Sequence, residues 1–224
     1  MPAPAPWSYR CVAFDLDGVL VDTEPLFERA VCDLLDARGL RLTTDLARAM
    51  LGTTTQQAFE HLCGHFRLDE PAERLAEEST ERLFALMDLE PAPVFAGAVE
   101  LLGRLERRGV PIAVATSSPR VHVERVLGPH RLVERFGFIL TCEDVRRGKP
   151  DPEIYRKAAE SFGCPPGEMV VLEDSPNGMR AAKSAGARCV VVRHSRVHLG
   201  DLGPADAVVD SLAAGELSAL LGLA

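Results

Sequence analysis

The stretch VAFDLDG, residues 12–18, decides the fold of this chain of 224 residues. A short apolar run ends there in two carboxylates and a glycine, which is typical of a buried strand that ends at a polar edge of a sheet. Because side chains alternate along an extended chain, Asp15 and Asp17 point to the same side. We therefore expect both carboxylates at one edge of a sheet.

Five more apolar runs of strand length follow, each closed by polar or turn residues. They are continuous rather than alternating, as expected for strands that are buried on both faces of a parallel sheet. Segments with helical periodicity lie between several of them. This alternation predicts an α/β fold with a doubly wound, mostly parallel sheet. The predicted strands are Arg10–Phe14, Pro111–Ala115, Phe138–Thr141, Met169–Leu172, Arg188–Val192 and Ala207–Val209, and the predicted helices between them are 99–108, 121–127, 152–162 and 176–185.

One region, residues 23–91, contains no strand-like run and shows only helical periodicity. Pro91 and Pro93 mark the return to the alternating pattern, since proline disfavours a continuing helix. The sequence therefore predicts an α/β core made of residues 1–22 and 92–224, with an inserted all-helical domain at residues 23–91.

The composition limits the function classes. The net charge of −8 argues against a broad surface for nucleic acid or anionic membranes, because clustered Lys and Arg bind phosphate backbones. The six cysteines form no C-x-x-C pair, which favours reduced thiols. The start, MPAPAPWSY, lacks the basic and apolar regions of a signal peptide, and no apolar run approaches the roughly 18 residues of a membrane span. We expect a cytoplasmic monomer without nucleic-acid or membrane partners.

Polar side chains follow the first, second and fourth predicted strands, and a Gly-Lys-Pro loop leads into a predicted helix. The carboxyl ends of parallel strands meet at one edge, where open α/β sheets place their reactive groups. We therefore expect four carboxylates, a hydroxyl cluster and one ammonium group to converge there. These are Asp15, Asp17, Glu173 and Asp174, the run Thr116-Ser117-Ser118, and Lys149.

Carboxylates at this density would repel one another strongly unless a cation lay among them. A set of oxygen ligands without His or Cys favours a hard ion, and Mg²⁺ is the usual one with phosphate substrates. The expected substrate is then a small phosphorylated metabolite. Of the neighbouring carboxylates Asp15 and Asp17, one can attack phosphorus while the other serves the leaving group.

Lys149 stands out because only three of the 25 basic residues are Lys. In so Arg-biased a sequence, a Lys in a Gly-Lys-Pro loop indicates a specific role. A compact ammonium fits between a carboxylate and a phosphoryl oxygen, where a planar guanidinium fits poorly. We therefore expect Lys149 beside the acidic residues.

Four segments resemble, in order, the four motifs of the haloacid dehalogenase-like hydrolase superfamily. The helical insertion lies where that family has its α-helical C1 cap. The resemblance is greatest to the beta-phosphoglucomutase-like branch of phosphatases and sugar-phosphate mutases, and it implies a Rossmann-like core and Mg²⁺ as cofactor. The segments are DLDGVLVDTEP (15–25), VATSS (114–118), RRGKPDPEIY (146–155) and VVLEDSPNGMRAAKSAG (170–186).

The resemblance implies a role for each residue at the predicted edge. Asp15 would be the nucleophile that becomes phosphorylated, and a Mg²⁺ ligand. Asp17 would be the acid and base of the reaction and would bind Mg²⁺ through its backbone carbonyl. Thr116 and the backbone at Ser117 would bind the phosphoryl group, and Lys149 would stabilise its charge and that of Asp15.

The resemblance also implies the remaining metal ligands and the substrate contacts. Asp174 would complete the protein's Mg²⁺ ligands, while Glu173 would act through a water molecule or orient the ligands. Glu24 and Thr54, both in the helical insertion, are candidates for contact with the substrate.

This sequence lacks residues that other activities of the family require, and their absence favours hydrolysis. Mutases of this branch carry a His where this sequence has Phe27, and an Arg that residues 52–56 (GTTTQ) lack. We predict a phosphatase acting on a small phosphate monoester such as a sugar phosphate, with a mutase of the beta-phosphoglucomutase type as the alternative. The absence of Lys from residues 23–91 excludes a phosphonoacetaldehyde hydrolase. Asp17 argues against a dehalogenase, in which no leaving oxygen needs a proton.

Other interpretations of the same residues stay open. Ser118, directly before Pro119, can equally cap the next helix, and residues 173–176 can be the acidic first turn of a helix. A signalling receiver domain also combines Asp, Thr or Ser and Lys on a doubly wound sheet. It places the acidic pair and the acceptor on different strands, however, and the helical insertion has no counterpart there. A non-catalytic module with this fold is the remaining alternative.

Overall fold

The structure, a computed structural model, describes residues 7–50, 55–193 and 202–223. It divides into two compact units: a core unit, from residues 1–22 and 93–224, and a helical unit, from residues 23–92. The boundary expected from the sequence, 23–91, ends one residue earlier.

Six strands of the described residues form one sheet in the core unit, in the order β3-β2-β1-β4-β5-β6, and every neighbouring pair is parallel. The predicted doubly wound α/β fold is confirmed. The direction of winding changes between β1 and β4, and in such sheets ligands bind beyond the strand ends at this point. The strands are β1 (Cys11–Phe14), β2 (Ile112–Ala115), β3 (Phe138–Leu140), β4 (Met169–Glu173), β5 (Arg188–Val192) and β6 (Ala207–Val209).

The helices fall into two groups along the chain. The first four make up the helical unit and the others connect the strands or follow them. The last one was not predicted from the sequence. The helices are α1 (Glu24–Asp36), α2 (Thr44–Met50), α3 (Thr55–Phe66), α4 (Ala72–Leu89), α5 (Ala98–Arg107), α6 (Arg120–Leu127), α7 (Glu153–Phe162), α8 (Pro176–Ala185) and α9 (Gly215–Leu220).

The two-residue period of the strands directs reactive groups toward α7 and α8. Alternate residues of β1 and β4, such as Ala13 and Val171, lie in the hydrophobic cluster that these helices form with the sheet, together with Tyr155. The same period places Asp15 and Glu173 on this face of the sheet. The alternation along the buried strands is therefore sufficient to place both carboxylates on the same side of the sheet.

The helical unit has a hydrophobic cluster of its own, built from α1 to α4, and Phe27 packs against it. In the core unit, the chain leaves and re-enters at neighbouring points. The backbone N–H of Asp22 donates to the carbonyl of Pro93 at 2.9 Å, and Val21 pairs with Val94 in an isolated bridge. Among the described residues, no helix combines the length and the apolar character that crossing a membrane requires.

Candidate active site

The predicted residues converge at the carboxyl ends of three neighbouring strands of the core unit. Asp15 follows β1, Thr116 follows β2, and Glu173 is the last residue of β4. Lys149 reaches the same place from the loop before α7, where its ammonium contacts carboxylates from both β1 and β4. The site thus lies beside the point where the sheet changes its direction of winding, as expected for this topology.

The Lys149 ammonium has an acceptor for each of its three N–H groups. It donates to Asp15 Oδ1 at 2.5 Å, to the Ala115 carbonyl at 2.9 Å and to Glu173 Oε1 at 2.6 Å. Burial alone would lower the pKa of Lys149, but the carboxylates of Asp15 and Glu173 raise it above its ordinary value. The lysine is therefore a fixed positive charge against the candidate nucleophile.

Both carboxylate oxygens of the fully buried Glu173 are used by protein donors. Oε1 accepts from Lys149 and from the Tyr155 hydroxyl at 2.7 Å. Oε2 accepts from the backbone N–H of Asp174 at 3.1 Å, and from the N–H and hydroxyl of Ser175 at 3.2 and 3.1 Å. Burial would raise the pKa of Glu173, but Lys149 and the hydrogen bonds hold it below its ordinary value. Glu173 therefore anchors the lysine and the loop after β4.

Two glycines allow the close approach of backbone to these carboxylates. A Cβ atom at Gly178 would lie 1.7 Å from Glu173 Oε1. At Gly18 it would lie 2.0 Å from Asp174 Oδ2, and this residue also has a positive φ of 78°. A larger side chain at either position would displace a carboxylate of the site.

Asp15, Glu173 and Asp174 each offer a carboxylate oxygen within 4.8 Å of the others. Within the described part of the chain, no group donates a hydrogen bond to Oδ2 of Asp15 or to the Asp174 carboxylate. Burial and the neighbouring carboxylates raise the pKa of Asp15 to about 7, against the opposing effect of Lys149. Burial, Glu173 and Asp15 likewise raise the pKa of Asp174 well above its ordinary value. Oxygens without protein donors, next to excess negative charge, fit a hard divalent cation.

The second carboxylate of the DxD pair, Asp17, is held by two side chains from the segment after β2. Its Oδ1 lies 2.8 Å from His122 Nε2, and its Oδ2 accepts from the Ser118 hydroxyl at 2.7 Å. Burial would lower the pKa of His122, but Asp17 prevails and raises it. The Ser118 side chain therefore does not cap α6, which has Pro119 at its N-cap position and no side-chain cap.

Sequence reasoning missed His122 and Tyr155. A signal for His122 exists in hindsight: it lies in the first turn of the helix that follows the Thr116-Ser117-Ser118 run, so that turn begins at the reactive edge. The signal for Tyr155 is weaker, because an aromatic residue in an amphipathic helix is most often part of the core.

The remaining predicted site residues are Thr116, Ser117, Glu24 and Thr54. Thr116 is buried, and its Oγ1 accepts from the backbone N–H of Ser118 at 3.0 Å. Ser117 is exposed. Glu24 begins α1 in the helical unit, and Thr54 lies outside the described residues.

Comparison with known proteins supplies independent information. The family model "haloacid dehalogenase-like hydrolase" matches residues 9–186. The validoxylamine A 7'-phosphate phosphatase of Streptomyces hygroscopicus is 34% identical over 81% of this chain and 84% of its own. The phosphorylated carbohydrates phosphatase of Thermotoga maritima is also 34% identical, over 79% and 82%. A crystal structure of a CbbY variant from Rhodobacter sphaeroides, in complex with xylulose-(1,5)bisphosphate, is similar with a TM-score of 0.79 and 31% identity, over 92% and 95% of the two chains.

Proposed function

The chain belongs to the haloacid dehalogenase-like hydrolases, and from that premise we propose that it is a Mg²⁺-dependent phosphatase that hydrolyses a small sugar phosphate through a phosphorylated Asp15. The prediction of a phosphoric monoester hydrolase is confirmed by the family match and by relatives that are named phosphatases. One observation carries the finer proposal. Lys149 uses one of the about four lone-pair sites of the Asp15 carboxylate, and no other group among the described residues donates to it, which leaves sites both for the metal and for the attack on phosphorus.

The proposed reaction has two steps. In the first, Oδ2 of Asp15 attacks phosphorus, the ester P–O bond breaks, and Asp17 gives its proton to the leaving oxygen. In the second, Asp17 takes a proton from water, whose oxygen attacks the aspartyl-phosphate and releases inorganic phosphate. Lys149 and the Thr116 hydroxyl stabilise charge on the phosphoryl oxygens. Asp15 and Asp17 end the cycle in the protonation states in which they began it.

Mg²⁺ is the proposed cofactor, held by the carboxylates of Asp15 and Asp174 and by the backbone carbonyl of Asp17. Its charge would stabilise negative charge on the transferred phosphoryl group. Glu173 is assigned the orienting role, because both of its oxygens already accept hydrogen bonds from the protein. The all-oxygen ligand set supports Mg²⁺ over softer metals.

The substrate class is proposed from the relatives, two of which are named for the hydrolysis of phosphorylated compounds that include carbohydrates. Phe27, at the position of the mutase His, packs in the hydrophobic cluster of the helical unit, which supports water as the acceptor. The helical unit is the proposed cap domain, and Glu24 and Thr54 are its candidate substrate contacts. A panel of sugar phosphates, assayed for released phosphate, identifies the preferred substrate; if no phosphorylated sugar were turned over faster than p-nitrophenyl phosphate, the proposed class would be wrong.

Replacing the nucleophile tests the mechanism. Asp15→Asn should lower Mg²⁺-dependent hydrolysis of p-nitrophenyl phosphate on the order of a thousandfold or more, since amide nitrogen and oxygen do not replace a carboxylate nucleophile. Asp210→Asn is the matched control, because this Asp is exposed and, among the described residues, pairs only with the exposed Arg193. Wild-type activity in Asp15→Asn would refute the phosphoenzyme mechanism.

A further inference from the structure

Two side chains from one short segment hold the Asp17 carboxylate. Ser118, in the turn after β2, donates its hydroxyl to Oδ2 at 2.7 Å, and His122, in the first turn of α6, places Nε2 at 2.8 Å from Oδ1. Opposite a carboxylate, Nε2 is the nitrogen that carries the proton. The His122 side chain is 9% exposed, whereas that of Asp17 is 30% exposed. The donor is thus more deeply set in the protein than the group it holds.

Both donors are themselves held in place by the backbone. The N–H of His122 donates to the Pro119 carbonyl at 3.0 Å, in the turn that starts α6. The N–H of Ser118 donates to Oγ1 of Thr116 at 3.0 Å, which fixes the preceding turn. A donor pair on a helix start and a hydrogen-bonded turn keeps its geometry while the reaction proceeds.

The two hydrogen bonds leave Asp17 able to transfer a proton. A carboxylate offers about four lone-pair sites on two oxygens, so that a hydrogen bond accepted by one oxygen does not by itself prevent that oxygen from carrying a proton. What the two donors remove is rotation of the carboxyl group. A proton donor in catalysis must reach the leaving oxygen within hydrogen-bond distance, which makes its orientation decisive.

We infer that His122 is a positioning residue for the general acid: its Nε2–H, together with the Ser118 hydroxyl, holds the Asp17 carboxyl in the orientation that protonates the leaving oxygen. The inference rests on the proposed function, in which Asp17 delivers that proton while Asp15 forms its bond to phosphorus. A purely structural His would contribute to stability without affecting one class of substrate more than another.

Leaving-group dependence distinguishes the two roles. Phenyl phosphate and p-nitrophenyl phosphate have similar shapes, but phenolate is far more basic than nitrophenolate and depends more on the acid. The ratio of their kcat/KM values reports the steps up to release of the phenol, and it does not depend on the fraction of enzyme that is folded. His122→Phe should lower the phenyl to nitrophenyl ratio by about 10-fold, less than the roughly 100- to 10,000-fold that general acid catalysis contributes, because the Asp17 carboxyl itself is still present.

Three further single variants and one double variant complete the test. His122→Gln keeps an N–H donor of similar reach and should restore most of the ratio, while Ser118→Ala should shift it in the same direction as His122→Phe. Asp17→Asn should lower the ratio at least as much, and adding His122→Phe to it should have no further effect on the ratio, since both changes act through one group.

The outcomes separate the inference from the proposed function. An unchanged ratio in His122→Phe, or an undiminished effect of His122→Phe in the Asp17→Asn background, would overturn the role of His122 while leaving Asp15 as the nucleophile. Full activity of Asp15→Asn would instead remove the proposed function on which the inference rests. If His122→Gln were as impaired in the ratio as His122→Phe, hydrogen bonding by Nε2 would not be the cause.

Discussion

The individual side chains of the site are arranged around a charge imbalance. When all are ionised, Asp15, Glu173 and Asp174 carry three negative charges against the single positive charge of Lys149. Lys149 donates to one oxygen of Asp15 and to one of Glu173, but it forms no hydrogen bond or ion pair with the Asp174 carboxylate. Asp174 is therefore the group that gains most from a divalent cation.

Removing Mg²⁺ should destabilise the protein more at high pH than at low pH. The raised pKa values of Asp15, about 7, and of Asp174 mean that the folded metal-free protein holds protons more tightly than the unfolded chain. Their protons stabilise the fold at low pH, and this contribution is lost as pH rises from about 4 through the folded pKa values. We expect saturating Mg²⁺ to raise Tm by about 5 °C or more at pH 8, and by much less at pH 5.

Asp174→Asn checks the assignment of this effect. The variant should have a higher metal-free Tm than the wild type at pH 8, because one repelling charge is gone, and its Mg²⁺ shift should be small. Asp210→Asn, an exposed carboxylate, should keep the full shift. Differential scanning calorimetry in EDTA and in Mg²⁺ measures both, and an equal shift in Asp174→Asn would place the metal elsewhere.

Sequence reasoning identified those residues of the candidate site whose residue type and position in a motif are informative by themselves. Asp15, Asp17 and Lys149 were found because strand ends and an unusual Lys single them out without knowledge of their partners. His122 and Tyr155 were not found, since their roles depend on how α6 and α7 are rotated against the sheet. That rotation is decided by packing, which one sequence does not display.

Among the elements, Arg38 joins three parts of the helical unit just beyond the end of α1. Its guanidinium donates to Glu70 at 2.8 and 2.9 Å, to Glu78 of α4 at 2.7 and 3.3 Å, and to the carbonyl of Leu34 at 3.1 Å. The side chain is 18% exposed, in contrast to most ion pairs of the surface. A planar fork with several acceptors is more specific than a single exposed pair.

Arg38→Ala should lower the free energy of unfolding by about 1–2 kcal/mol, below the range for fully buried charged hydrogen bonds because Glu70 and Glu78 are partly exposed. Arg48→Ala is the control: Arg48 lies 4.0 Å from the exposed Asp45, and its loss should change stability by less than about 0.5 kcal/mol. Urea unfolding followed by circular dichroism measures both. Equal effects of the two substitutions would show that the Arg38 contacts add nothing specific.

The acid dependence of this network has a definite sign. Hydrogen bonds from Arg38 and Arg82 lower the pKa of Glu78 to about 2, so its contribution is present above the unfolded value of about 4.3 and is lost as pH falls toward 2. The difference in stability between wild type and Arg38→Ala should therefore shrink in that interval.

The element boundaries show what a single sequence predicts well. All six strands were located, because a continuous apolar run is unambiguous when both faces are buried. Helix α9 was missed, since its six residues are too short to show a period. Strand β4 extends to Glu173, one residue beyond the predicted end at Leu172, because a charged residue carries no apolar signal.

At the scale of the whole molecule, each unit has the parts of an independent folding domain. The core unit contains a hydrophobic cluster formed by the sheet with α7 and α8, and the helical unit contains a separate one. The insertion interrupts the core where Asp22 and Pro93 are hydrogen-bonded neighbours, at 2.9 Å from N–H to carbonyl. Removing residues 23–92 therefore leaves chain ends that a short linker can join.

A core variant in which a Gly/Ser linker of about four residues joins Asp22 to Pro93 should fold cooperatively, because loop closure over so short a gap costs little entropy. It should keep the stabilisation by Mg²⁺, since every proposed ligand belongs to the core unit, and Asp174→Asn should abolish that shift in the variant as in the full chain. Hydrolysis of p-nitrophenyl phosphate should fall, and preference among sugar phosphates should disappear, because the proposed cap no longer excludes water or contacts the substrate. Thermal unfolding and the sugar-phosphate panel measure these outcomes. A core that melted without a cooperative transition would show that the helical unit is required for folding, and an unchanged substrate preference would assign specificity to the core.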